Sequence, residues 1–331
     1  EHVQAVDDFI AGRGLSAFYT TDNSITAAGQ WAYAGNTDWF DVMYKPSFMQ
    51  QHNASISGGS DKTTYYGSIG YKGQDGILQY GTDKYKRINM SFNFSTQITK
   101  WLEVTFRTKY NRNTSDYPYT YRGFPTIPVY LPDGNNFAGI AGSNFNYNFA
   151  GLLDGAGRDK TNSDDFWYTA AFNLTPLAGL SIKGDYTGNK FYQDQTQHGK
   201  ILYQTMPEES TLSPLSVGTP GGVTKANYGD TYQALNLWAD YKKSFNDKHN
   251  LGVMVGYNQE SKKTTKLSVS TSNLFDNNFP VTDLASTYNM PSEEATIWAV
   301  QGAFFRLNYD YMQKYLLEVN GRYDGSSKYM S

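Results

Sequence analysis

His2, His52, His198 and His249 are the chain's four histidines, the first place to look for general acid–base or metal chemistry. A zinc-binding helix needs two histidines four positions apart with a glutamate between, and a serine nucleophile needs a Gly-x-Ser-x-Gly elbow. Neither spacing occurs. His249 follows the turn formers Asn246, Asp247 and Lys248, so it reads as a solvated turn residue. Two stretches offer oxygen ligands to a hard cation: "DKTNSDD" at 159 to 165 and "DGNN" at 133 to 136. Neither follows the spacing of a calcium-binding loop. "GTPGG" at 218 to 222 lacks the lysine and the following helix of a phosphate-cradling loop. With no cysteine there is no thiolate nucleophile or zinc site. The expectation is a protein that is not an enzyme and carries no cofactor and no metal.

Aromatic side chains have a more definite use. "DYPYTYRGFPTIPVYLPDG" at 116 to 134 gathers Tyr117, Tyr119, Tyr121, Phe124 and Tyr130 around Arg122. Flat rings stack on sugar rings or peptide side chains, and a proline-rich loop holds them at low entropic cost. These six residues are candidates for contact with a substrate or with a lid above it. The alternative use is packing of the loop against its neighbours or a partner protein.

The elements behind such a loop follow from composition and pattern. Aromatic residues make up 16% of the 331 positions, yet the hydrophobic total is 39%, too polar for a large aliphatic core and too aromatic for a disordered chain. A formal charge of -3 gives no basic footprint for nucleic acid. No run approaches the roughly 18 apolar residues of a transmembrane helix, which leaves a membrane-spanning β-barrel open. The chain begins at Glu1 without a visible signal peptide, and is expected to be an internal piece of a longer protein.

From residue 50 onward the sequence alternates with period two, the signature of strands with two unlike faces. In "WLEVTFRTKY", Leu102, Val104, Phe106, Thr108 and Tyr110 oppose Glu103, Thr105, Arg107 and Lys109. "FFRLNYDY" and "YLLEVNGRYDG" behave likewise. Ten strands are expected, near 50–59, 63–72, 85–98, 101–115, 164–175, 180–194, 230–245, 249–262, 296–312 and 314–325. Tight connections follow the odd-numbered ones, and long connections, at 73–84, 116–163, 195–229 and 263–295, follow the even-numbered ones. Short turns at one edge and long loops at the other are the plan of an outer-membrane barrel, with the long loops extracellular. The polar faces would line a wet lumen, and six charges there, Glu103, Arg107, Lys109, Arg306, Asp310 and Arg322, are candidates for contact with a plug, water or substrate. A soluble or surface-attached β-rich glycan-binding or structural protein also alternates, and a passive porin shares the barrel, so both stand as alternatives.

Residues 1–48 differ. Val3, Val6, Phe9 and Ile10 are spaced as on a helix, and Thr37 or Asp38 could cap a short helix in "NTDWFDVMYK". On the strand parity this segment belongs to a first extracellular loop region, with residues 49–331 forming the barrel portion.

A set of motifs in fixed order then narrows the reading: Asn36 to Trp39, His52-Asn53, Ser57 to Ser60, Tyr65-Tyr66, Gly70-Tyr71, Asp75 to Ile77 and Tyr85 to Arg87. "YLPDGN" at 130–135 and "FFRLNYDYMQKYLLEVNGRYDGSSKY" at the far end continue it. Together they resemble the SusC/RagA family of TonB-dependent outer-membrane transporters. The resemblance implies an all-β transmembrane barrel of twenty-two strands, of which these ten are the second to the eleventh, with the plug domain and the remaining strands absent from this chain. It also implies active import of glycans or oligopeptides across the bacterial outer membrane, energised through TonB by a segment this chain lacks. A SusD-like surface lipoprotein is the implied partner, beside the lipid bilayer, and a dimer of transporter–lipoprotein pairs is an assembly it allows.

Overall fold

The computed structural model describes residues 24–25, 31–32, 38–81, 83–119, 153–205, 212–216 and 221–329. Ten long strands follow one another as an antiparallel meander, each paired with the next. They are β1 (Met49–Gly59), β2 (Thr63–Asp75), β3 (Lys84–Thr99), β4 (Leu102–Pro118) and β5 (Gly157–Leu177). After them come β6 (Leu180–Gly199), β7 (Gly222–Phe245), β8 (His249–Leu274), β9 (Ser292–Tyr311) and β10 (Tyr315–Ser326). A short segment, Ala285–Tyr288, pairs with the far end of β8. Ile201–Thr205 pairs with Leu212–Ser216, and Ser24–Ile25 with Trp31–Ala32.

The turns after the odd-numbered strands are tight. Asn246 and Asp247 both lie in the left-handed region, with φ of 52° each, and Lys248 N–H closes the turn on the Phe245 carbonyl at 3.1 Å. Two left-handed residues in a row give a turn whose twist matches that of the strands it joins, and Asn and Asp tolerate that conformation. Met312 and Gln313 adopt the same shape, with φ of 53° and 56°, although their side chains give no hint of it.

The register sorts the residues cleanly. One face carries Ala54–Ile69–Met90–Tyr110–Phe166 across β1 to β5, and Leu237–Tyr257 and Val255–Phe305 across β7 to β9. The other carries Ser55–Ser68–Ser91–Lys109 and their neighbours. Large apolar side chains stay uncovered on the first face: Ile56 is 65% exposed, Val255 53% and Phe305 48%. Among the described residues no second layer packs on this face. A soluble sandwich would bury it, so the solvent it requires is hydrocarbon. Glycines in this face make room for neighbouring rings: a Cβ on Gly188 would stand 2.2 Å from the Tyr168 ring, and one on Gly184 2.6 Å from that of Phe172.

Where the apolar face ends gives the tilt. Its last members are Ile88 on β3, Tyr110 on β4, Phe166 on β5, Leu235 on β7 and Tyr257 on β8. Followed along the register, Ile88 leads through Arg112, Asp164, Tyr192 and Gly229 to Thr265, so the boundary has fallen eight residues by Tyr257 in five strand-to-strand steps. At about 3.3 Å per residue and about 4.8 Å per step this is a slope of roughly 45°, and a level apolar band therefore requires strands tilted by that angle, as in membrane barrels.

The strands also run on into sequence expected to be connection. β5 begins at Gly157, β6 extends to Gly199, β7 begins at Gly222, β8 extends to Leu274 and β9 begins at Ser292. Above the boundary both faces are polar, as in "KKTTK" at 262–266, so the alternation that marks a half-buried strand disappears while the hydrogen-bond ladder continues. At the same edge, Met43, Leu78 and Leu153 form a small buried cluster. Met43 ends helix α1 (Trp39–Met43), whose N-cap is Asp38, accepting from the backbone of Phe40 and Asp41. Residues 1–12, expected to be helical, lie outside the described residues.

Candidate functional site

The polar face is where a wet lumen would lie, and its chemistry is built from single side chains held by register. Glu103, Arg107, Lys109, Arg306, Asp310 and Arg322 all project from this face, in two groups at opposite sides of the sheet. Glu103 accepts from Ser95 Oγ at 2.8 Å, and Arg107 and Lys109 have no ion-pair partner among the described residues. Arg306 donates to Asn320 at 2.9 Å, and Asp310 accepts from Asn250 Nδ2 at 2.8 Å. Arg322 holds Asp324 at 2.7 Å and Asn258 at 2.7 Å, with its guanidinium 5.6 Å from the centre of the Phe304 ring. A groove of about 690 Å³ opens near the tight-turn edge between Lys242, Asn250, Asn308, Asp310, Leu316 and Glu318.

Between the two charged groups runs a row that the alternation did not bring out. Lys109, Trp167, Asn189, Tyr232, Lys262 and Trp298 are consecutive register partners on β4 to β9, so an aromatic ring stands on every second strand. Asn189, only 6% exposed, sits between the first two rings and spends its amide on Asp165 Oδ1 at 2.6 Å and the Phe166 carbonyl at 3.2 Å. Over it the Trp167 and Tyr232 rings meet with centroids 5.9 Å apart, tilted by 51°. The Trp167 indole donates to Asp165 Oδ2 at 3.2 Å and the Tyr232 hydroxyl to Glu260 Oε2 at 2.6 Å. Both rings therefore have their polar ends satisfied by the wall, and Trp167 remains 38% exposed toward the open side. Lys262 is paired with Asp230 at 2.9 Å, and Lys328 lies over the Trp298 ring at 5.6 Å. The signal in sequence was an aromatic in a polar register, hidden in "DDFWYT" because Phe166 and Trp167 are adjacent and face opposite ways.

The other candidates separate. Asp159, Asp164 and Asp165 do not converge. Asp159 accepts from Gln195 at 2.9 Å and Gln197 at 2.8 Å, whereas Asp164, on the opposite face from Asp165, takes the Tyr110 hydroxyl and lies 3.8 Å from Arg112. Among the described residues no group of three His, Cys, Asp or Glu could hold a metal ion, and "DGNN" lies outside them. His249 is not a solvated turn residue: its Nδ1 is 2.6 Å from the Tyr309 hydroxyl and its ring packs on Tyr311 at 4.8 Å, because the turn folds it onto β9. His198, 6% exposed near the projecting end of β6, is pushed below the ordinary histidine range by burial and by nearby Lys200, with the Asn277 backbone acting the other way. Tyr117 is 43% exposed at the end of β4, and Tyr119 lies where a Cβ on Gly199 would come within 2.8 Å of its ring. Tyr121, Arg122, Phe124 and Tyr130 lie outside the described residues.

No family model matches the chain. It is 26% identical over 313 residues to the TonB-dependent receptor P3 of Formosa agariphila, covering 89% of this chain and 30% of that protein. It is also 26% identical over 334 residues to the TonB-dependent receptor SusC of Bacteroides thetaiotaomicron, with the same 89% and 30% coverage. Among solved structures, the RagAB peptide importer in its open-open state superposes with a TM-score of 0.72 at 19% identity, over 98% of this chain and 39% of that one. Its closed-closed state gives 0.71 at 20% identity, again over 98% and 39%. The chain spans about a third of the length of these relatives. The fold it shares with them is a stretch of antiparallel barrel wall from the bacterial outer membrane.

Proposed function

We propose that this chain, a run of barrel wall similar to SusC/RagA-type TonB-dependent receptors, belongs to an active importer of large nutrients, either glycans or oligopeptides. The observation that carries the proposal is the division of the sheet into an uncovered apolar face and a wet face bearing charges and half-exposed rings. A wall with those two sides separates lipid from a conduit. The projecting, long-connection edge is extracellular, and Tyr117, Tyr119, Tyr121, Arg122, Phe124 and Tyr130 meet the substrate or a lid there. A SusD-like lipoprotein covers that edge, a plug rests on the luminal charges, and TonB supplies the energy. Similarity to the TonB-dependent receptor SusC and to the RagAB peptide importer supports the reading without choosing the substrate.

The aromatic row gives the passage a surface. It starts at Lys109, three residues short of Arg112 at the apolar boundary, and reaches Lys262, three residues past Gln259 at the same boundary. The row therefore climbs across the level of the bilayer edge, a sloping ledge from the rim into the lumen. Rings without charge of their own hold a passing chain by stacking, which is tolerant of sequence and easily released.

Uptake by a strain carrying the full-length gene tests the proposal. Labelled oligosaccharides and oligopeptides are offered to that strain and to a deletion strain. Gene-dependent uptake of one class, abolished by a protonophore, is the expected result. Uptake that survives the protonophore would make the protein a passive porin, and recovery of the protein without detergent in the soluble fraction would remove it from the membrane.

A further inference from the structure

Two cations face each other on the luminal side of β2 and β3. Lys72 and Arg87 are direct register partners, so their Cβ atoms stand about 5 Å apart. They lie beside Ile88, the last apolar residue of β3, and so at the mouth of the lumen. Both are half-buried, and among the described residues neither forms an ion pair. The Arg87 Nε is buried without an acceptor. Like charges set directly opposite one another on a ladder oppose folding, and a donor withdrawn from water without an acceptor adds to that cost. An anion seated between the two removes both penalties, and a carboxylate or sulfate offers the paired oxygens that a guanidinium fork takes.

Below this pair, toward the tight-turn edge, the wall is an array of amides and hydroxyls. One row down, at roughly 7 Å, Asn53, Gly70, Asn89 and Asn111 are consecutive register partners on β1 to β4. Gly70 leaves room for the amides on either side of it: a Cβ there would stand 2.7 Å from Asn53 Oδ1 and 3.6 Å from Asn89 Nδ2. The next row holds Ser55, Ser68, Ser91 and Lys109, with the Ser68 and Ser91 hydroxyls bonded to each other at 2.7 Å. A recess of about 390 Å³ opens over these rows, with the Tyr66 ring, 40% exposed, at its lower end.

Elsewhere on this face Asn189, Asn236 and Asn250 are tied to carboxylates at 2.6, 3.0 and 2.8 Å. The side chains of Asn53, Asn89 and Asn111 make no hydrogen bond among the described residues, so their amides are free for a ligand. An amide offers a donor and an acceptor, as a sugar hydroxyl does, and the two rows project no apolar side chain to make pockets for those of a peptide. Lys109 is also the head of the aromatic row, so the recess continues the ledge toward β1. Resting on the reading of the chain as part of an importer, we propose that this recess binds an acidic sugar unit of an imported glycan. Its carboxylate or sulfate lies between Lys72 and Arg87, and its hydroxyls meet Asn53, Asn89 and Asn111.

The test uses the full-length protein purified in a non-ionic detergent and titrated by calorimetry. The acidic glycans are oligogalacturonate, oligomannuronate and sulfated carrageenan fragments. Methyl-esterified oligogalacturonate and laminarin fragments serve as neutral chains, and oligoglutamate as an acidic peptide. At least one acidic glycan should bind, and Lys72→Gln/Arg87→Gln should weaken it about ten- to a hundredfold. Arg87→Lys keeps the charge without the fork and should lose less. Asn89→Ala, with both cations in place, should also weaken binding, and it reads the site even if the double variant assembles poorly. Lys183→Gln, a luminal cation on β6, should bind as the parent does. Binding of no acidic glycan, binding confined to neutral chains or oligoglutamate, or undiminished binding of acidic glycan by the double variant would each overturn the proposal. A double variant that binds acidic glycan as the parent does but conducts ions across a planar bilayer where the parent does not would give the pair to a plug instead. Energised uptake of a neutral glycan or a peptide alone would remove this site while the importer reading stands, so the two fail separately.

Discussion

Full-length protein carrying Val104→Arg should reach the outer membrane at a reduced level. Val104 lies in the apolar band of β4, in register with Thr96 and Phe172, and two residues from Phe106, which is 42% exposed to the surrounding medium. An arginine facing lipid costs roughly 2 to 4 kcal/mol at the midplane of a barrel and less toward its edges; Val104 lies two residues inside Leu102, where the band ends, and no carboxylate on that face lies within one residue pair of it. Thr105→Arg, one residue on, enters a face that already holds Arg107 and should assemble as the parent does. The readout is the amount of folded, heat-modifiable protein in the membrane fraction. Normal assembly of the Val104 variant with failure of the Thr105 variant would mean that the faces are reversed.

Removing the ledge should leave assembly intact and impair passage. Trp167→Ala and Tyr232→Ala each delete a ring whose polar end is held by the wall, at Asp165 and Glu260 respectively. If the rings contact substrate, each truncation should raise the half-saturating substrate concentration by roughly tenfold, the scale of a well-anchored aromatic contact. Trp167→Phe should retain most of the affinity, because stacking needs the ring face more than the indole N–H. The comparison is initial uptake rate against concentration at matched surface levels. Unchanged uptake in the double alanine variant would show that substrate passes along another wall.

Much of the architecture was legible because a membrane wall makes period-two alternation obligatory: Leu102 to Tyr110 against Glu103 to Lys109 could sit no other way. The order of tight and long connections was legible for the same reason, since turn formers such as Asn246-Asp247 announce themselves. The strand ends were not. Past Tyr257 on β8 both faces meet water, so Lys262 to Lys266 carry no alternation although the ladder to β7 and β9 continues. The Met312-Gln313 turn was hidden because its shape is imposed by the strands it joins, not by its side chains. The ledge was hidden because Phe166 and Trp167 are adjacent aromatics that face opposite ways, so the ring on the polar face does not stand out in the alternation. Register, which sets Trp167 beside Lys109 and Asn189, brings it out. The apparent carboxylate cluster at 159 to 165 failed for the converse reason: neighbours in a strand point apart, and Asp164 and Asp165 serve different faces.

The central claim is that one face of this sheet meets lipid and the other a wet lumen, and β4 tests it most directly. The 331 residues contain no cysteine, so single cysteines can be placed in turn at positions 102 to 111 of the full-length protein freed of any other thiol. Cells are then treated with a membrane-impermeant charged maleimide and, separately, with a lipid-soluble one. Water-side labelling at 103, 105, 107, 109 and 111, alternating with lipid-side labelling at 102, 104, 106, 108 and 110, is the predicted result. Uniform water labelling of both sets, or the same alternation inverted, would contradict it.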